Sequence, residues 1–409
     1  MNETEQPPND EPKPEMAETI SSDQKSTDRG YSACLPWITA IVCSICLGVF
    51  IKYVASDEND DYKKFAMIGY CSAEEIWNGA AWGLVTPAFI HIEIWHLGLN
   101  LYWLWVLGSC LERQMGAWCF LPFYLLAAIV TSSFQLAAGD STGIGASGVV
   151  YAIFGYIWHA RDRVPEFQRI LNPEIISLSF GWLFLCIPLT LTGILNVANV
   201  AHFAGLAWGI MVAEWIFGNR RKLSMAGIVA TLGLAIAVLF WCPWSVAWLT
   251  IQAYQTHQKG DLPKALSWYD RIIQIDPGHQ WARENRDNIK TQLLSQEVYE
   301  LSQKAYQAQE NGDIQSAIEW YDKVLQLDRG DQSTRETFAV AKENRLSLEV
   351  YEIATKAYQA HTSGDLHSAL ELYDKAIQLD PNYQWATVNR AMAEAQLESL
   401  ENGGPTADQ

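Results

Sequence analysis

Apolar residues dominate positions 33–247 in long blocks, separated by short polar breaks. A helix needs about 20 apolar residues to cross the roughly 30 Å hydrocarbon core of a bilayer. Seven blocks approach or exceed that length: 33–54, 88–109, 117–138, 144–160, 174–194, 197–217 and 225–247. The fourth is short, as expected of a helix surrounded by other helices. After residue 248 the composition turns polar, charged and helix-forming. The pattern predicts an all-α protein: a polytopic membrane helix bundle followed by an α-helical repeat domain. The expected units are an acidic tail at 1–32, a six-span core at 33–217, a seventh span within 218–247, repeats at 248–401 and a C-terminus at 402–409.

Basic residues predict the orientation. The loops after spans two, four and six carry Arg113, then Arg161, Arg163 and Arg169, then Arg220, Arg221 and Lys222. The loops after spans three and five carry none. Loops rich in Arg and Lys stay cytoplasmic, so the N-terminus is expected inside and the repeat domain outside. The first loop holds Lys52, Lys63 and Lys64 among four acids, which count little in this rule.

Charge and cysteine usage narrow the picture further. The net charge is −18, and most of it comes from the flanks. The tail has eight acids against three bases, and residues 245–409 have 25 against 15. No basic patch suited to nucleic acid is present. Cys43 and Cys46 form a C-x-x-C inside a membrane-length block, where packing explains them better than redox chemistry or metal binding. The first span starts behind an acidic tail, so no cleaved signal peptide is expected. With no organelle address apparent, a bacterial plasma membrane is the expected location.

Polar residues inside membrane segments are costly and point to function. Ser147 opens span four between Gly145 and Gly148, and His202 lies in span six between Ala201 and Gly205. Under the predicted orientation, His91, His96 and Asn100 lie in the outer part of span two, at the same depth. Serine beside histidine is a nucleophile beside its base. Gly148, Ala152 and Gly155 make one small-residue stripe, and Ala201, Gly205 and Gly209 another. Such stripes let helix backbones approach closely, which would bring Ser147 and His202 together. Tyr151 is four residues after Ser147, on the same face, and can pack against the imidazole. His96 and Asn100 share a face as well, and with the Ser147 N–H they suit an oxyanion. One such donor is typically worth on the order of 3–4 kcal/mol of transition-state stabilisation.

Each of these residues has a plainer reading. A membrane serine often bonds its own helix, a histidine can serve transport, and an asparagine can join helices. Their convergence at one depth favours chemistry. His91, Glu93 and His96 are spaced two and five apart and do not share a helix face; with no H-E-x-x-H, neither metal nor cofactor is expected. His91 is read as satisfying polar groups of a loop.

These elements resemble the rhomboid intramembrane serine proteases. The resemblance rests on Gly145-Ala146-Ser147-Gly148, on His96 to Asn100, on Ala201-His202 with Gly205, and on Leu111-Glu112-Arg113 before Gly116. It covers about residues 78–217. It implies Ser147 as nucleophile and His202 as base, with His96, Asn100 and the Ser147 amide stabilising the oxyanion. Gly145, Gly148, Tyr151, Ala201 and Gly205 support them. It also implies hydrolysis of peptide bonds in or near transmembrane segments of membrane proteins, with water entering from the outer side. The family often carries Trp-Arg before span two; here Gly83 follows Trp82. The alternative is a catalytically inactive relative that binds membrane proteins as a scaffold.

The C-terminal region repeats itself. Ala-Tyr-Gln recurs at 253, 305 and 357, Gly-Asp at 260, 312 and 364, and Tyr-Asp at 269, 321 and 373. The period is 52 residues. Each unit resembles a tetratricopeptide repeat of about 34 residues, closed by Pro277 or Pro381, with Arg329 in that place in the middle unit. Some 18 further residues, such as 280–297, either extend the next unit's first helix or form one of their own. The repeated Ala, Tyr and Leu are read as interhelix core. The expected partner is a peptide or protein ligand on a concave face.

Overall fold

The computed structural model describes residues 35–327 and 334–402. The acidic tail, Cys34, Arg329 and residues 403–409 lie outside them. The described residues form two compact units, divided between Gln252 and Ala253.

The first unit is built from helices α1 (Trp37–Val54), α2 (Asp61–Met67), α3 (Ala73–Trp77), α4 (Ile94–Trp103), α5 (Ser109–Met115), α6 (Ala117–Gly139), α7 (Ser147–Ala160), α8 (Pro165–Ile170), α9 (Pro173–Leu191), α10 (Asn199–Phe217) and α11 (Arg221–Phe240). A π-turn at Leu104–Gly108 joins α4 and α5 into one apolar rod. Among the described residues six helices are long and apolar enough to cross a membrane: α1, α4–α5, α6, α9, α10 and α11. The fourth predicted span is α7, with only 14 residues, about 21 Å at 1.5 Å per residue. It is too short to qualify by length and lies buried, packed against α6 and α10. The sequence-based placement of His91 inside span two does not hold. Glu93 has the extended backbone of an N-cap, so α4 begins at Ile94 and His91 sits in the preceding loop.

Small residues set the spacing at the centre of this unit. A side chain at Gly205 would overlap the carbonyl oxygen of Gly148, and one at Gly209 would overlap that of Ala152. Gly155 meets the Leu206 carbonyl in the same way. Backbone therefore lies on backbone along the length of α7 and α10. Because 148 pairs with 205 and 152 with 209, the two helices run parallel. Near their other ends His159 Nε2 and Glu214 Oε2 are 2.6 Å apart. The buried Glu112 carboxylate, from α5, accepts from Ile38 N–H (2.9 Å), Thr39 N–H (2.8 Å) and Thr39 Oγ1 (2.7 Å). One acceptor thus satisfies three donors at the start of α1, where no intrahelical partner exists.

Helix α12 (Val246–Gln258) leads into the second unit, which continues as α13 (Leu262–Ile275), α14 (Gln280–Glu310), α15 (Ile314–Gln326), α16 (Arg335–Ser363), α17 (Leu366–Leu379) and α18 (Gln384–Asn402). The Gly-Asp repeats are its punctuation. Gly260, Gly312 and Gly364 have φ of 78°, 77° and 85°, the left-handed region that ends a helix cheaply only for glycine. Asp261, Asp313 and Asp365 then cap the next helix by accepting from Lys264 N–H (3.2 Å), Ser316 N–H (3.1 Å) and Ser368 N–H (3.1 Å). The extra residues at 280–297 form the first half of α14, so they extend the next unit's first helix. Ala253, Ala305 and Ala357 are fully buried, as are Tyr269 and Tyr373, with Tyr321 nearly so. Tyr254, Tyr306 and Tyr358 are not core, contrary to the sequence-based reading. They are 53, 50 and 46 % exposed, because they follow the buried alanine by one position, about 100° around the helix.

Candidate active site

The loop 140–146 delivers Ser147 to the first position of α7. Gly143 (φ 71°) and Gly145 (φ 106°) take backbone conformations that other residues resist. A Cβ on Gly145 would come within 2.7 Å of His96 Nε2, so only glycine lets that imidazole lie against the loop. Two bonds hold the loop from the segment before α4. Gly145 N–H donates to Pro87 O (2.9 Å), and Ala146 N–H donates to His91 Nε2 (3.3 Å).

His202 enters from α10, and only 3 % of its surface is exposed. Its Nε2 lies 2.8 Å from Ser147 Oγ. The Tyr151 ring packs on the imidazole with centroids 4.8 Å apart and planes tilted by 37°. The Tyr151 hydroxyl donates to Ser179 O on α9 (2.9 Å), which fixes the ring. His202 Nδ1 is buried with no hydrogen-bond partner among the described residues. The tyrosine packs against this imidazole, and no carboxylate among the described residues bonds it. A nitrogen at this distance from a hydroxyl can take its proton as the oxygen attacks.

Ser147, His202, His96, Asn100 and Tyr151 all line one cavity of about 900 Å³, bordered by α4, α7, α9 and the 195–198 segment. Asn100 Nδ2 donates to His96 O one turn back (2.9 Å), and one N–H of its amide remains. His96 Nδ1 is 3.9 Å from Glu93 Oε2. The His91 and His96 rings meet edge to face at 5.0 Å. Ala201 N–H donates to Gln135 Oε1 (3.2 Å), tying the start of α10 to α6. Gln135, Ser179 and Pro87 were not singled out in the sequence. Two of them act through backbone atoms, and Gln135 looks like any polar residue near a helix end. Among the described residues no cluster of three or more His, Cys, Asp or Glu is arranged to hold a metal.

Residues 78–220 match the rhomboid domain family, and residues 354–383 match a tetratricopeptide repeat. The chain is 36 % identical over 186 residues to the rhomboid protease GlpG of Yersinia pseudotuberculosis serotype I (strain IP32953), covering 45 % of this chain and 64 % of that protein. The GlpG of Yersinia pestis (strain Pestoides F) gives the same figures. That of Serratia proteamaculans (strain 568) is 34 % identical over 139 residues, 34 % of this chain and 49 % of its own length. The chain thus spans less than two thirds of the length of these relatives. It is an integral membrane protein that carries a rhomboid domain similar to that of these proteases, with a tetratricopeptide repeat after its membrane helices.

Proposed function

We propose that this protein is an intramembrane serine endopeptidase working through a Ser147–His202 dyad. The observation that carries the reading is the 2.8 Å contact between Ser147 Oγ and His202 Nε2 at the wall of a cavity between membrane helices. Ser147 Oγ attacks the carbonyl carbon of a substrate peptide bond and passes its proton to His202 Nε2. The oxyanion that forms accepts hydrogen bonds from His96, the free N–H of Asn100 and the Ser147 amide. Collapse breaks the C–N bond, and His202 returns the proton to the leaving amine. Water then hydrolyses the acyl-enzyme by the same route, with His202 again as base.

The substrates are transmembrane segments of membrane proteins, and the repeat domain binds a protein partner or presents substrates. The distribution of Arg and Lys supports a cytoplasmic N-terminus and an extracytoplasmic repeat domain, and a bacterial plasma membrane is the proposed location. A fluorophosphonate probe tests the dyad. It is expected to label wild-type protein at Ser147 and to leave His202→Ala unlabelled. Equal labelling of the two would remove His202 from the mechanism.

A further inference from the structure

The loop that carries Ser147 is held from two sides, and the second hold comes from beyond the seventh span. Asp140 starts this loop at φ 51°, and it is the one non-glycine residue with positive φ among the described residues. Such a conformation costs free energy and persists where surrounding contacts impose it. Here Asp140 Oδ2 accepts from the Ala247 N–H at the first turn of α12 (3.3 Å). A carboxylate at a helix start meets a free donor and the positive end of the helix dipole. Three residues earlier, Ala137 O accepts from Trp244 Nε1 (2.7 Å). That carbonyl lies in the last turn of α6, where it has no helical partner.

The connector that makes these bonds is not a loose tether. Cys242, Ser245 and Leu249 are buried. Ser245 Oγ accepts from Trp248 N–H (2.9 Å), capping α12. Ala247 packs in a cluster with Cys71, Ile76, Leu84 and Leu136. Further back, Trp77 Nε1 donates to Val238 O near the end of α11 (3.0 Å). The far end of the loop is fixed by Pro87 and His91, and the near end by Trp244 and Ala247. Between these holds, Gly143 leaves the backbone few restraints of its own.

We infer that Asp140 is a positioning residue for Ser147, and that the segment Trp244–Ala247 is its anchor. The seventh span is then part of the catalytic core, because it brings this anchor to the loop. The inference rests on the protease reading for its effect on rate, and on geometry alone for its effect on the loop.

The test uses the full chain in proteoliposomes, with three variants and two readouts. Asp140→Gly keeps the left-handed backbone and removes the acceptor. Asp140→Asn keeps both an acceptor and tolerance of that conformation. Trp244→Phe removes the donor to Ala137, keeps an aromatic ring beside Trp241 and leaves the loop sequence unchanged. Cleavage of a reporter transmembrane segment is expected to lose about tenfold in kcat in Asp140→Gly, with KM within about twofold, since small misplacement of a reacting group is costly. Trp244→Phe loses less, and Asp140→Asn stays within about twofold of wild type. Amide hydrogen exchange across 141–146 rises in Asp140→Gly and Trp244→Phe but not in Asp140→Asn. Wild-type kcat and exchange in Asp140→Gly would overturn the inference, as would an Asp140→Asn variant as impaired as Asp140→Gly. If wild-type protein leaves the reporter uncut while exchange follows the expected pattern, the anchor stands and the protease reading falls.

Discussion

His159 and Glu214 lie 2.6 Å apart toward the ends of the two helices whose opposite ends carry Ser147 and His202, and both pairs are separated by 55 residues in the chain. Equal separation is what two parallel helices in fixed register require. Glu214 also accepts from Arg220 N–H at 2.9 Å, which ties the pair to the turn after α10. The His159–Glu214 contact and the Ser–His contact therefore report on one register, from its two ends.

Breaking the far pair should loosen the near one. Glu214→Ala is expected to lower Tm by several degrees, and Glu214→Gln, which keeps an acceptor for Arg220, by less. Thermal unfolding in detergent, followed by circular dichroism, measures both. Equal and unchanged Tm values would mean the register is set by the glycine contacts alone.

Gly205 provides the complementary test. Its missing side chain is what lets the Gly148 carbonyl approach. Gly205→Val must push α7 and α10 apart, and overpacking of this kind costs about 1–3 kcal/mol. Loss of stability should be accompanied by loss of fluorophosphonate labelling at Ser147, because the same shift separates Oγ from Nε2.

Tyr151 has two separable contacts, a ring on His202 and a hydroxyl on Ser179 O. Tyr151→Phe keeps the first and loses the second. It should retain activity within a few fold. Tyr151→Ala loses both and should drop kcat by about 10- to 100-fold, since a free imidazole no longer holds its near-attack orientation. Steady-state kinetics on a transmembrane reporter distinguishes the two.

The repeat domain should weaken in acid through its aspartate caps. The hydrogen bonds from Ser316 and Ser368 hold the Asp313 and Asp365 carboxyls below their ordinary value of 3.8. A carboxyl whose folded pKa is depressed stabilises the fold above the unfolded value, and that contribution disappears as pH falls through the lower folded value. The caps should be at full strength above about pH 5 and be lost progressively below 3.8. Replacing both with asparagine, which caps without titrating, should flatten this part of the profile. Helical signal of the domain during acid titration measures it.

Much of the fold is legible in the sequence because membrane helices and repeats announce themselves by composition and period. The apolar blocks locate α1, α6, α9 and α10 to within a few residues, and the Gly-Asp period marks where the repeat helices turn; the block 225–247 runs past the end of α11 at Phe240 into the connector and the start of α12. The paired stripes at Gly148 and Gly205 foretell a close contact, since only small residues permit it. Three features escape such a reading for physical reasons. Ile90-His91-Ile92 is as apolar as the helix that follows, so hydropathy does not show that α4 starts only at Ile94. Pro87 and Ser179 act through carbonyl oxygens that every residue possesses. The Asp140–Ala247 bond joins positions 107 residues apart, and no period connects them. The polar residues facing the cavity were recognisable because a bilayer makes such residues expensive, whereas those that position them look ordinary.

The most direct test of the account is cleavage of a reporter carrying a helix-destabilised transmembrane segment, by purified wild-type protein and by Ser147→Ala in liposomes. The account predicts cleavage within the reporter's transmembrane region by wild type and none by Ser147→Ala, with both proteins equally folded. Cleavage that persists in Ser147→Ala would contradict it.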